Sequence, residues 1–422
     1  MITPNEYKLQ SEIHGRNALH HIEEICRFGN RFVGMEGDFL TLSYIEDKFL
    51  KARLKIEHTP IRAPTFVERK AEILLSDTGI KLTGLSPYFT VSSHGKIRGE
   101  LVDIGQGQET DYVGVDVRGK IVVITETQLG FAIFWLGPYS ELASRHGAIG
   151  MIVIHPFPWP YRMSMEAGNI STENRFVKQQ VPAICISAID GMTLMHYLGQ
   201  GKHNAILEVD TSIYDVDSTV LSGVVEGYEI PEERIVIMSH RDHAIPPGAN
   251  DNGSGLGCLI ELARVLGQQK LRRSIEFICT PAEEGGSPGM SQYVQAHKDR
   301  MNKVKAAINL DMFSTGGRLQ LVESGQWHDT DMFMFSPWLL EALETAADDM
   351  GYHVGRYAAS STSDETRFLM EGVPSAWFWK PDDVYYHSIH DTPDKVDANS
   401  LKAVSDITAL TVSRLANLDF LP

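Results

Sequence analysis

Seven side chains in the second half of this sequence are of the types that hold metals or move protons: His240, Asp242, Asp251, Glu283, Glu284, Asp311 and His387. His240 and Asp242 follow the apolar run "RIVIM" (Arg234–Met238), and Asp251 lies further along the same loop, "SHRDHAIPPGANDNGSG". Glu283 and Glu284, in "CTPAEEGGSPGM", follow "SIEFICT". Asp311 ends "VKAAINLDM", and His387 lies in "DDVYYHSIHDTPDKVD" after "SAWFW". Singly, each has an ordinary explanation. Asp251 can cap the helix that follows it, Glu283 can be a solvated loop acid, and His387 can be a surface histidine. Brought to one place, the carboxylates would repel one another and be pushed toward protonation. A divalent cation removes that penalty, and imidazole with oxygen but no thiolate suits zinc, manganese or cobalt rather than magnesium alone. Two histidines and three carboxylates are too many for one catalytic zinc with an open position. They suit two ions a few ångströms apart that share a carboxylate.

For these groups to meet, several neighbouring strands must deliver them to one edge of a sheet. From about Val220 the chain alternates strand and helix: "RIVIMSH", a helix through "LGCLIELARVLG", "SIEFICT", a helix from Pro288, then "VKAAINLDM". That alternation predicts a mainly parallel sheet covered on both faces, an α/β three-layer α/β/α sandwich. In such sheets ligands gather beyond the carboxyl ends of the strands. Upstream, "ALHHIEEICRFG" and "GDFLTLSYIEDKFLKARL" read as amphipathic helices. Between about Lys96 and Asp210 the texture changes to short β-rich runs separated by glycine turns, with helices at "YSELASRHG" and "DGMTLMHYLG". The expected division is therefore 1–95 and 213–422 as one catalytic domain, with 96–212 inserted as a β-rich domain.

At 422 residues the chain suggests two or three domains, and 43% hydrophobic with 22% charged residues is ordinary for a globular protein. Acidic side chains outnumber basic ones by 55 to 38, a formal charge of −17, which argues against nucleic acid or an anionic membrane as partner. The opening "MITPNEYKLQSEIHGRN" is polar and no apolar run reaches spanning length, so a cytoplasmic location is the expectation. The four cysteines (Cys26, Cys185, Cys258, Cys279) are scattered in apolar contexts and read as buried thiols.

The string "SHRDH…PGANDNGSG", then "EEGG", "INLDM" and "YYHS…DT", resembles the co-catalytic dizinc exopeptidases, the family of bacterial leucine aminopeptidases and glutamate carboxypeptidases. "RFGNRFVGMEGDFLTLSYIEDKF" resembles that family's opening Arg-x-x-Gly-x-x-Gly element, and "RGKIVVITE…SRHGAIGMIVIH…VPAICIS" resembles the protease-associated domain some members carry. The resemblance implies that His240 and Asp311 hold one ion and Glu284 and His387 the other, with Asp251 bridging. It implies that Asp242 orients His240, and that Glu283 is the general base acting on a metal-bridging water. Tyr386 would steady the oxyanion. Two divalent ions are implied, zinc foremost with manganese or cobalt as substitutes, and filling of a single site is also compatible.

Arg241 departs from the family pattern, which places an apolar or aromatic residue there. It is read either as the partner of a nearby acid or as a contact for an anionic substrate group. Asp364 and Arg367, in "SSTSDETRFLMEG", are candidates for recognising a substrate terminus, while His243 and His390 read as structural or solvated. The leading expectation is an exopeptidase, more specifically an aminopeptidase, acting on small peptides. An amidohydrolase or deaminase of the same fold, acting on an anionic or aromatic small molecule, is the alternative, and a non-catalytic relative is a third. A homo-oligomer is compatible with all three.

Overall fold

In the computed structural model, residues 2–126, 135–165, 180–326, 332–359 and 361–421 are described. The chain forms two compact units, one of Met1–Ala63 with Val216–Pro422 and the other of Pro64–Asp215.

The first unit is built on four adjacent parallel strands in the order Arg273–Thr280, Ile230–His240, Val304–Leu310, Ser375–Trp379. Antiparallel strands flank them. Leu221–Val225 pairs with Ile275–Cys279 on one side, and Gln320–Gln326 joins Ser375–Trp379 on the other. Every residue of Arg273–Thr280 and of Ser375–Trp379 is buried. That is why these strands read as mainly apolar with no alternation of a polar face, although Arg273–Thr280 also buries Arg273, Ser274, Glu276 and Thr280. Gly15–Cys26, Gly253–Leu266, Pro337–Asp349 and Ala398–Asn417 pack on one another and against the sheet; Pro288–Ala296 packs with Thr366–Met370. Helices cover both faces and give the expected three-layer α/β/α sandwich.

Gly253–Leu266 is largely apolar and buried at every position except Arg264, as a helix locked between sheet and neighbouring helices must be; its buried acid, Glu261, accepts the His14 N–H at 2.8 Å. It begins earlier than its apolar pattern because Asn252, not Asp251, caps it: the Asn252 side chain accepts from the Gly255 N–H at 2.9 Å. The same side chain donates to the Leu310 carbonyl at 2.9 Å, which fastens the helix start to the strand that precedes Asp311. A Cβ at Gly255 would lie 2.0 Å from the Leu310 oxygen and 2.4 Å from Ser239 Oγ, so only glycine allows this approach.

In the second unit, Ile121–Thr125, Gly150–Ile154 and Ala183–Ile186 run parallel, Leu101–Asp103 extends them, and Lys96–Glu100 pairs antiparallel with Asn204–Glu208. Helices Gly137–Arg145 and Ala188–Gly199 lie between strands in the chain, and Leu101, Ile121, Val123, Ile152, Ile184 and Leu207 form the core. The unit starts at Pro64, whereas the composition shift falls at 95/96. The reason is that strands Lys55–Leu75 and Asn204–Val225 each run without interruption through both units, so no turn-rich linker marks the boundary. Among the described residues no helix is long and apolar enough to cross a membrane.

Candidate metal centre

The parallel strands end together, and the site is assembled from residues at or just beyond those ends. His240 closes Ile230–His240, Glu283 and Glu284 follow Arg273–Thr280, Asp311 follows Val304–Leu310, and His387 follows Ser375–Trp379. Asp251 enters from the loop before the capped helix, where the Asp251–Asn252 peptide is cis.

These side chains form two buried groups that share one member: His240, Asp251 and Asp311, and Asp251, Glu284 and His387, with the ligand atoms of each group within 4.8 Å of one another. Asp251 turns one oxygen to each group. Its Oδ1 is 3.4 Å from His240 Nε2, and its Oδ2 is 3.1 Å from His387 Nε2. His240 Nε2 is also 3.4 Å from Asp311 Oδ1, and His387 Nε2 is 3.2 Å from Glu284 Oε2. Ligands of a tetrahedral zinc at ~2.0–2.1 Å stand about 3.3–3.4 Å apart, so these separations fit such an ion. Asp311 Oδ1 is buried without a hydrogen-bond partner among the described residues, while Ser363 Oγ donates to Asp311 Oδ2 at 2.7 Å. One oxygen is thus occupied and the other left for a cation.

The electrostatics point the same way. Burial alone would suppress charge on His240 and His387, yet Asp311 and the other facing carboxylates raise His240 well above its usual range, and Glu284 and Asp251 raise His387 to about 9. Burial pulls Asp251 up, but its bonds to both histidines hold it below the usual carboxylate range. Burial pushes Glu283 well above that range, with Asp364, Asp311 and Glu284 adding and His240 opposing. The cluster thus gathers positive charge as protons, and divalent cations would displace those protons in taking the same place.

Asp242 has a wider role than orienting a histidine. Its Oδ1 is 3.5 Å from His240 Nδ1, and its two oxygens also accept the N–H groups of Glu283 and Glu284, each at 3.1 Å. Tyr386 is half-buried and stacks on the His387 ring with centroids 3.7 Å apart. Ala282, Met312 and His387 all hold left-handed backbone (φ 64°, 54° and 50°), a conformation disfavoured for side-chain-bearing residues and concentrated here on the segments that carry the acids and His387.

Arg241 is not a substrate contact. Side chains alternate along the end of the strand, so His240 and Asp242 face the site while Arg241 points away from it. Its guanidinium is fully buried, with Nε 2.6 Å from Asp38 Oδ1, Nη1 donating to the Thr219 carbonyl at 2.9 Å and Nη2 to Ser218 Oγ at 3.0 Å. Asp364 and Arg367 are also turned inward. Asp364 is fully buried and accepts from Thr280 Oγ1, and Arg367, 4% exposed, donates to the Gly286 carbonyl at 2.8 Å. Both fasten their loop to residues flanking Glu283 and Glu284; Ser360, at the start of that loop, lies outside the described residues. His243 Nε2 accepts the Arg31 N–H at 3.0 Å and so serves the loop.

Two partners of this centre are not evident from the sequence pattern. Arg31, fully buried, donates to the carbonyls of Arg241, Pro247 and Gly248 at 2.9, 2.6 and 2.8 Å, and so clamps the loop between His240 and Asp251. Its signal is the first position of the Arg-x-x-Gly-x-x-Gly element. Asn250 donates to Asp383 Oδ2 at 2.9 Å and accepts from the Ser314 N–H at 2.9 Å, tying three site segments together, and nothing in its own sequence context marks it.

The sequence model of Peptidase family M28 matches residues 222–412, and that of the PA domain matches residues 97–194. Aminopeptidase YwaD of Bacillus subtilis (strain 168) is 24% identical over 410 residues, covering 94% of this chain and 84% of that protein. Leucine aminopeptidase 2 of Trichophyton tonsurans is 27% identical, covering 89% and 74%. Among solved structures, a zinc aminopeptidase from Bacillus subtilis aligns with a TM-score of 0.77 at 22% identity, covering 96% of each chain. A peptidase M28 precursor from Shewanella amazonensis SB2B aligns with a TM-score of 0.79 at 20% identity, covering 99% of this chain and 97% of that one.

Proposed function

From the premise that residues 222–412 belong to peptidase family M28 and residues 97–194 to the PA domain family, we propose that this metal-dependent exopeptidase is an aminopeptidase using two zinc ions. The observation that carries the two-ion reading is Asp251, whose two oxygens face two different histidine-bearing groups. Curated relatives named as aminopeptidases support the amino-terminal specificity, and the Bacillus subtilis structure titled a zinc aminopeptidase supports the metal. The reading as an amidohydrolase of anionic molecules loses its motive, since Arg241 is spent on Asp38.

In this reading His240, Asp251 and Asp311 hold one ion, and Asp251, Glu284 and His387 the other. When bound, the ions polarise the scissile carbonyl and make water acidic enough to attack near neutral pH. Glu283 takes the proton from the attacking water and returns it to the leaving amine. Its backbone N–H is held by Asp242, so one carboxylate aims both the base and the ligand beside it. Asp242 also faces His240 Nδ1, which leaves Nε2 for the ion. Tyr386, beside His387, supplies a hydroxyl for the developing oxyanion.

The test is metal content per chain together with hydrolysis of aminoacyl anilides and their N-acylated counterparts. Turnover of the free-amino substrates alone, lost on chelation and restored by zinc, is the expected result. Equal or faster cleavage of the blocked amides would overturn the aminopeptidase assignment, and absence of bound metal would overturn the two-ion reading.

A further inference from the structure

Between the His387 segment and the loop carrying Asp251 runs a contact that the chemistry above does not use. Asp391 accepts from three consecutive amides of that loop: its own carbonyl from Ala249 at 3.1 Å, Oδ1 from Asn250 at 2.7 Å, and Oδ2 from Asp251 at 3.0 Å. The residue is 1% exposed. A buried carboxylate is costly unless its oxygens are hydrogen-bonded; the two amides offset part of that cost for Asp391, and it fixes their direction in return. An asparagine of the same size has one acceptor and would set an amino group against the second amide. At this length only a carboxylate meets both.

Asp242 makes the same grip on Glu283 and Glu284, with both distances 3.1 Å. Each half of the centre therefore repeats one device: an acid closely following a histidine holds two successive amides of a segment that carries a carboxylate. Asp242 follows His240 by two positions, and Asp391 follows His387 by four.

We propose that Asp391 is a positioning residue for the metal centre. It fixes the peptide nitrogen of Asp251 and thereby the angle at which Asp251 offers Oδ1 to one group and Oδ2 to the other. This rests on the two-ion reading. Its consequence is particular: Asp391 belongs to the His387 segment, yet Asp251 belongs to both groups, so disturbing Asp391 must weaken both ions, including the one held by His240 and Asp311.

The experiment is a zinc titration of wild-type, Asp391→Asn and Asp391→Glu proteins against a competing chelator, with stoichiometry by elemental analysis and the melting point of each metal-stripped protein recorded. Both stepwise affinities of Asp391→Asn are expected to fall about tenfold or more. Asp391→Glu keeps two acceptors on a longer stem. It is expected to lower both affinities as well, and it carries the test if the Asn variant does not fold. Unchanged affinities, or a loss confined to one ion, would overturn the proposal whatever the melting points do. A wild-type protein that takes up no zinc would overturn the two-ion reading itself, an outcome distinct from a wild-type and a variant that bind two ions equally well.

Discussion

In the proposed mechanism Asp251 and Glu283 do different work, and substitution would separate them. Asp251→Ala removes a donor from both groups and leaves His240 with Asp311 and His387 with Glu284, two donors each, so metal should be lost from the purified protein. Glu283→Gln leaves all five donor residues in place; both ions should stay while turnover falls on the order of a hundredfold or more, read by elemental analysis beside a rate assay. A Gln variant close to wild-type in turnover would show that another group moves the proton. His240, Glu283, Glu284 and Asp311 stand out in the sequence because each lies at or just past the end of an apolar run, whereas Asp251 and His387 lie further out in loops and stand out by the resemblance. Arg241 could not be placed, since its direction depends on where the strand's alternation ends, and its partner Asp38 lies two hundred residues away in sequence. Asn250 was silent for a related reason: its partners come from two distant segments, and the amide is an ordinary loop residue until they meet.

At the level of elements, the helix Gly253–Leu266 couples packing to the site. Its start is pressed against Leu310, the residue before Asp311, so a methyl group at Gly255 must push that strand end or the helix aside. Gly255→Ala should destabilise the protein by about 1–3 kcal/mol and also weaken zinc binding, which chemical unfolding and chelator competition would measure separately. Normal zinc affinity in a destabilised variant would mean that the strain is absorbed away from Asp311. The four parallel strands were legible because burial on both faces makes their central residues mainly apolar. The edge between the units was not, because Lys55–Leu75 and Asn204–Val225 keep one strand pattern while passing from one core to the other.

For the molecule as a whole, acid should act on the Pro64–Asp215 unit through His155. This residue is 3% exposed, stacked on Tyr161 with centroids 4.4 Å apart, and burial lowers it from 6.5 to about 4. The folded state therefore binds a proton less readily than the unfolded chain. The contribution is complete above pH 6.5, declines as pH falls toward 4, and amounts to roughly 3 kcal/mol. His155→Phe keeps the ring and removes the titration, so its melting temperature should fall less steeply than that of the wild type between pH 7 and 4.5. Identical slopes would mean that other groups govern acid lability.

The clamp of Arg31 on Arg241, Pro247 and Gly248 also orders events during synthesis. Translation delivers this arginine first, then the whole Pro64–Asp215 unit, then the loop that it grips, and only afterwards His387 and Asp391. No chain that stops short of His387 holds both donor groups. A nascent chain that stops short of His387 therefore has only the group of His240, Asp251 and Asp311 with which to hold a metal ion.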